Sequence, residues 1–541
     1  MSRTEFKKHF NRGRQLASKR QFDAAINEFE QALRHKPTDL DTIFQLGNVS
    51  RKMGINDLAV KWYDVALQMS PGSVEIVFNR ALALQNLGRN QAALEAYESV
   101  AKPLNKDPMF WNNLGVLRQQ MSQTMLAIDA LEKAVSLKPS YFEAWNNLGL
   151  SYFVARSGPN MADKWQPAFA KAESHYRRDP SFFVNRSTCH FGDGNYQEGW
   201  KDYAHRHDPK LPSSVIYHHD FPLWQGEDLR GKTLLIVEEQ GIGDQITFLS
   251  ALPELLKTGA RLIIEVSHKL VDLIQRNFPS VRVVAADRRT IDLKRHHHYD
   301  WLDEPVDYAV PLGDAFYAMR PSIEGFPVRR NFLKADEGRY RKWVARLNEL
   351  NSKPKIGISW RSSKITGARQ GAYMGIDELA PWLAEADRYQ FVNLQYGECE
   401  EELAQLTDRP DGTRPIINFE DLDLFDDIED TCGLIASLDG VLSVRNSQAC
   451  LAGALGVNTI SFRGSHFLFG HDRLDPVYST ILNVYPRPYD PPINDQFNTA
   501  LNDFESTYVR CGNLSNPTDS ALLAKHFFSE KTSLRKRKDS R

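Results

Sequence analysis

The sequence predicts an α-helical solenoid of paired helices followed by two doubly wound α/β units. Three observations carry this. Small residues recur every 34 positions at Gly13, Gly47, Ala81, Gly115 and Gly149, a period that belongs to stacked helix pairs. Past residue 231 the pattern changes to short runs rich in β-branched residues alternating with helical stretches, as βαβ units and parallel sheets require. A chain of 541 residues also exceeds what one hydrophobic core serves, while 42% hydrophobic and 25% charged residues supply ordinary globular cores.

The 34-residue period extends to Ala25, Ala59, Ala93 and Ala127, to Ala32, Ala66, Val100 and Ala134, and to the bulky Phe29, Tyr63, Tyr97 and Leu131. Small residues let two helices approach closely, and the large ones are expected to fill the gap between neighbouring pairs. Helix pairs with this period and pattern are identified as tetratricopeptide repeats. Pro37, Pro71 and Pro139 stand in register where each second helix must stop, because proline lacks the amide N–H and clashes with the preceding turn. Pro108 falls three residues late, which predicts an altered loop. The fifth unit, from about Tyr141, lacks the small residue in its second helix and reads as degenerate. A further helix pair follows, taking in 194–200, Tyr203 and Arg206, so that the repeat domain covers 1–207.

Within the repeats, Asn11, Gln45, Asn79, Asn113 and Asn147 form a second series of the same period. A ladder of carboxamides offers paired donors and acceptors to an extended peptide backbone, and such groups equally cap or bridge helices. Asn79, Asn113 and Asn147 are the candidate acceptor-binding residues.

Residues 208–231, with Pro209, Pro212, Pro222 and Gly226, read as a linker. Strands are expected at 233–237, 261–266, 281–285 and 308–310 in a first α/β unit, 232–345. A second unit, 346–528, has strands at 355–360, 390–394, 440–444 and 458–462, with a helix at 448–455 that Gly456 ends. The tail 529–541 is charged, lacks apolar periodicity and is expected to be disordered. Ligands of such units bind outside the carboxyl ends of the strands.

A net charge of -2 gives no global reason to expect nucleic acid or anionic lipid as a partner. Five cysteines without CxxC spacing argue against a disulfide framework and a zinc site. No long apolar run suggests a membrane span, and a cytoplasmic location is expected. His296, His297 and His298 form no helical metal-binding pair and read as a solvated loop.

The residues 234–246 combine a buried strand, a glycine-rich turn and the start of a helix. Gly241 and Gly243 let bare backbone approach a ligand there. The turn is neither the dinucleotide nor the Walker fingerprint. Asp244 is either a helix N-cap or a carboxylate presented at the strand's carboxyl end, where Glu239 is its nearest rival and no other carboxylate of the first unit is expected.

Trp224, Gly226, Leu229, Gly231, Lys232, the turn Glu239-Gln240-Gly241-Ile242-Gly243-Asp244 and Ala251-Leu252-Pro253 resemble the bacterial tetratricopeptide-containing glycosyltransferases. Those are similar to lipopolysaccharide heptosyltransferases and, more loosely, to O-GlcNAc transferase, known for an asparagine ladder. The resemblance implies a GT-B fold with the acceptor on the first α/β unit and a nucleotide-sugar donor on the second. It implies that Asp244 is the general base, with Gly241 and Gly243 on the acceptor side, and that neither metal nor other cofactor is needed.

The second landmark is 438–456, where relatives carry D-[TN]-[AS]-x-x-H before L-A-G-A-L-G. Here Arg445 replaces the Asp and Cys450 the His. Asn446 and Ser447 match and stand at a helix N-terminus suited to a donor phosphate. Arg445 reads as a donor contact or a surface salt bridge, and its bidentate grip suits an anionic sugar such as a CMP-linked nonulosonate. Arg361 and Lys364, with Arg369 beyond, follow a strand and either neutralise a departing phosphate or sit in a solvated loop. Gln395 and Tyr396 match a Leu-Gln-x-Gly element and either contact the nucleotide or satisfy loop backbone. The implied function is transfer of a sugar to a side-chain hydroxyl of a polypeptide, with flagellin a candidate. Transfer to a lipid-linked or polysaccharide acceptor and a catalytically inactive repeat scaffold are the alternatives.

Overall fold

The computed structural model describes residues 2–156, 160–176, 179–211, 213–291, 294–362, 374–462 and 475–484. They fall into two compact units that divide near residue 177. Lys364, Arg369 and everything beyond 484, including Cys511 and the tail 529–541, lie outside the described residues.

Among the described residues the first unit consists of five helix pairs: Ser2–Ser18 with Phe22–His35, Leu40–Lys52 with Asn56–Met69, Val74–Asn86 with Asn90–Val100, Pro108–Gln120 with Thr124–Leu137, and Phe142–Val154 with Trp165–Ser174. The sequence places the bulky residue of each repeat in the gap between neighbouring pairs, but it also packs within its own pair. It lies directly over the small residue of its own pair. A Cβ on Gly13 would come within 2.7 Å of Phe29, on Gly47 within 2.6 Å of Tyr63, and on Gly115 within 2.6 Å of Leu131. In the fifth pair Phe169 covers Gly149 at 2.8 Å. Trp165 takes the place that Ala25 holds before Phe29, so this pair is the degenerate one. Pro108 opens a helix instead of closing one: Asp107 accepts the Met109 N–H, and the preceding helix ends early, at Val100.

The helices Ser181–Gly192 and Tyr196–Tyr203 belong to the second compact unit, whereas the sequence places them with the repeats. The reason is aromatic packing. Trp200 stacks on Tyr317 with centroids 5.0 Å apart, and Tyr196 meets Phe326 at 6.2 Å.

The strands of this unit are β1 (Val215–Tyr217), β2 (Thr233–Val237), β3 (Arg261–Val266), β4 (Arg282–Ala285), β5 (Asp287–Ile291), β6 (Lys294–His298), β7 (Tyr308–Pro311), β8 (Lys355–Ser359), β9 (Gln390–Asn393), β10 (Ile416–Ile417), β11 (Gly440–Val444), β12 (Thr459–Phe462) and β13 (Ile481–Val484). Two sheets are wholly parallel, with orders β4-β3-β2-β7 and β10-β9-β8-β11-β12-β13. In each, the chain works outward from a first strand, β2 or β8, and then crosses to its other side, which makes a topological switch point between β2 and β7 and between β8 and β11.

A small third sheet, β1-β6-β5, revises two expectations. The proline-rich stretch supplies β1, so 208–231 is more than a linker. The three histidines lie on β6, with His297 fully buried between Glu238 at 3.3 Å and Glu265 at 3.6 Å, and not in a solvated loop. The expected boundary at 345/346 falls inside the helix Glu337–Leu350, whose Trp343 packs on Phe419 and donates to Asp430. That helix therefore goes with the second α/β unit. No helix among the described residues is long and apolar enough to cross a membrane.

Candidate functional site

At the carboxyl end of β2 the chain leaves the sheet through Glu238, Glu239 and Gln240, the last in left-handed backbone with φ 65°. Gly241 caps the helix Ile242–Leu249, and Asp244 is its third residue. Asp244 is therefore not the N-cap. Its Oδ2 lies 3.7 Å from where a Cβ on Gly241 would stand, so the carboxylate folds back toward the helix N-terminus. Gly243 faces the other α/β unit, where its Cβ position is 3.5 Å from Cys450 Sγ and 3.6 Å from Ser447 N.

The same strand end holds more carboxylates than the sequence suggests. Glu238 is fully buried and accepts from Gln245 at 2.5 Å and from Arg288. Burial pushes its carboxyl above the usual range, against the opposing pull of Arg288 and His297. Glu239 takes two hydrogen bonds from Arg206, both at 2.9 Å, and a third from the Gly313 N–H at 2.6 Å. Across the switch point, on the helix Leu312–Met319 that follows β7, Asp314 accepts from Arg206 at 2.7 Å and pairs with His207 Nε2 at 2.9 Å. Burial opposes ionisation of Asp314, but Arg206 and His207 outweigh it and hold the carboxyl down to about 2. Asp314 and His207 were missed in the sequence. The available signal was the repetition of Gly-Asp after a strand, Gly243-Asp244 after β2 and Gly313-Asp314 after β7.

In the second α/β unit, the described sequence-predicted residues gather near the β8/β11 switch point but are held by partners within their own unit. Gln395 Oε1 accepts from the Trp360 and Arg361 N–H groups at 3.0 and 2.9 Å. Asn446 caps the helix Ser447–Leu455 through Gln448 and Ala449, and donates to Ser359 Oγ at 2.8 Å. Arg361 grips Glu402 through Nε at 2.9 Å and Nη2 at 2.6 Å. Arg445 is paired with Asp475 at 2.7 Å, and this ion pair is buried, with side chains 5% and 1% exposed, not on the surface. Tyr396 donates to Ser362 at 3.1 Å. Ser447 is half-buried at the start of its helix.

The two α/β units meet where the helix Ile242–Leu249 lies on Ser447–Leu455. Thr247 Oγ1 and Tyr478 Oη are 3.0 Å apart, and burial pushes the Cys450 thiol up. Lys269 reaches Asp426 at 2.6 Å, and Arg276 reaches Glu429 at 2.8 Å. A depression of about 600 Å³ between Arg276 and Asp336 holds none of the sequence-predicted site residues.

In the repeats, Asn113 and Asn147 are linked through Asn112, which accepts from Asn147 at 3.0 Å and donates to Asn113 at 3.4 Å. Asn79 turns back to the Glu75 carbonyl of its own helix at 2.9 Å. All three are half-buried. Among the described residues no group of three or more His, Cys, Asp or Glu side chains is arranged to hold a metal ion.

Tetratricopeptide repeat family models match residues 10–74 and 110–141. The chain is similar to Protein FlbA of Caulobacter vibrioides, 33% identical over 332 residues, a stretch that makes up 60% of this chain and 55% of that protein. It thus spans little more than half the length of that relative. Among solved structures, a MamA protein is 23% identical and aligns over 32% of this chain and 91% of its own, with a TM-score of 0.28. A tetratricopeptide repeat protein from Parabacteroides merdae is 19% identical over 37% of this chain and 77% of its own, with a TM-score of 0.32. The repeat models and the helix pairs agree: the N-terminal part of this chain is an array of tetratricopeptide repeats.

Proposed function

We propose that this chain is a protein glycosyltransferase of GT-B type. The repeats hold a polypeptide, flagellin being the candidate, and the paired α/β units transfer a sugar from a nucleotide-activated donor to a side-chain hydroxyl. The observation behind this reading is the succession of two parallel sheets, each with a switch point, whose glycine turn at 239–244 and second landmark at 445–447 lead into helices packed on each other. Two such carboxyl edges suit an acceptor on one side and a nucleotide on the other. A base at the first edge removes the hydroxyl proton as the oxygen attacks the anomeric carbon, and the resemblance assigns that task to Asp244. The helix N-terminal N–H group at Ser447, ahead of those that Asn446 caps, suits the donor phosphate.

A specific observation favours a second reading, a repeat scaffold without activity. Arg361, Arg445, Gln395 and Asn446 already hold Glu402, Asp475, the Ser359 hydroxyl and backbone groups of their own unit, so a donor must compete with these partners or use others. Thermal-shift measurements with UDP, GDP, CMP and their sugar derivatives separate the readings, because a ligand specific to the native state raises Tm. Stabilisation by one nucleotide, followed by a mass increment of one sugar on a hydroxyl-bearing flagellin peptide, is the expected result. No shift with any nucleotide leaves the scaffold.

A further inference from the structure

His207 ends the short helical turn Ala204–His207, and Asp314 lies in the first turn of the helix Leu312–Met319. Two features make them more than a surface ion pair. Asp314 is fixed from both sides, with one carboxylate oxygen on Arg206 at 2.7 Å and the other on His207 Nε2 at 2.9 Å. Arg206 is in turn fixed by Glu239, so the carboxylate cannot swing away from the ring. The pair is also open, with His207 31% and Asp314 35% exposed, at the carboxyl edge of the β2/β7 switch point where ligands of such sheets bind. An ionised carboxylate facing Nε2 requires the proton on that nitrogen, which leaves the Nδ1 lone pair as the acceptor.

We propose that His207, oriented by Asp314, is an acid–base residue of the first α/β unit and takes the proton of a hydroxyl bound at that edge. This rests on the glycosyltransferase reading and names His207 in place of Asp244. The hydroxyl oxygen forms a bond to the anomeric carbon and its proton passes to Nδ1. The bond from that carbon to the donor phosphate oxygen breaks, and the electron pair leaves with the nucleotide. Asp314 is a positioning residue that also stabilises the imidazolium, and the proton then passes to solvent. An imidazole suits proton abstraction at neutral pH better than a carboxylate does, and the Asp244 carboxylate is turned toward its own helix terminus. The charged groups around the ring are Asp314 on the facing helix, Arg206 beside it in the chain and, behind Arg206, Glu239 on the glycine turn.

The test uses the full chain labelled with ¹⁵N in histidine, and His207→Gln, which leaves Arg206, Glu239 and Asp314 in place, assigns the resonance. The expected result is an Nε2–H tautomer in wild type that loses its preference in Asp314→Asn. With the nucleotide-sugar that the thermal-shift series selects, His207→Gln should lower kcat by about 10²–10⁴-fold with KM little changed, and abolish the acidic limb of the pH profile. A folded His207→Gln at wild-type rate beside an inactive Asp244→Asn returns the base to Asp244 and overturns the proposal. If wild type turns over no donor, the glycosyltransferase reading has failed on its own. The tautomer then decides the dyad, and a ring that is Nδ1–H or averaged in wild type overturns it.

Discussion

Gly313 has no room for a methyl group. A Cβ there would stand 2.6 Å from Glu239 Oε1 and 3.1 Å from Arg206 Nη2, the two groups that join the turn after β2 to the helix after β7. Gly313→Ala should therefore destabilise the protein by about 1–3 kcal/mol, through overpacking against a buried ion pair. Gly72→Ala meets nothing within 4 Å and serves as the control in the same denaturant titration. The Asp314 carboxyl, at 3.8 when free, is held at about 2 in the folded protein, burial being outweighed by Arg206 and His207. Its depressed value means that its stabilising contribution is whole above about pH 4 and disappears as pH falls toward 2. Melting curves of wild type and Asp314→Asn should converge over that window, and a constant gap from pH 7 down to 2 counts against the pairing.

At the scale of the helix pair, the 34-residue register has a steric cause that a glycine series exposes. Gly115→Ala drives a methyl into Leu131 at 2.6 Å and should cost about 1–3 kcal/mol. Gly72 has open space around its Cβ position, and Gly72→Ala should change stability by no more than about 0.5 kcal/mol. The asparagine series is tied to the helices at Asn79 and bridged at Asn113 and Asn147 through Asn112. If these amides also hold a polypeptide, the triple change Asn79→Ala, Asn113→Ala, Asn147→Ala weakens peptide binding at least tenfold in a folded protein, and calorimetry with a flagellin peptide measures it. Unchanged affinity assigns them to bridging alone. For strands, apolar β-branched runs made β2, β3 and β11 legible to the residue. The hairpin β5–β6 was not legible, because Asp287–Ile291 and Lys294–His298 are mostly charged or imidazole residues whose single buried side chain, His297, leaves no apolar alternation.

At the scale of the molecule, the boundary lies where aromatic packing and one buried arginine put it. Arg206, 4% exposed, is the partner of Glu239, 3% exposed. A chain starting at 208 leaves that carboxylate buried and unpaired, a loss of about 3–5 kcal/mol, and also loses Trp200 from its seat on Tyr317. The fragment 178–541 should therefore fold cooperatively while 208–541 aggregates or melts far lower. Equal melting temperatures for the two place the boundary back at the proline-rich segment.

The amino-acid order by itself determined the repeat array, the positions of most parallel strands and the two places where the chain leaves the sheets, because each is written in local period: 34 for stacked pairs, short apolar runs for buried strands, glycine at turns. Only the tertiary structure decided which charges meet. Arg206 with Glu239 and Asp314, Arg445 with Asp475, and Arg361 with Glu402 are separated by 30 to 108 positions in the chain. No local pattern encodes such pairings. They arise because burial removes water from these groups, and each charge must then find the partner that the fold brings within hydrogen-bond distance.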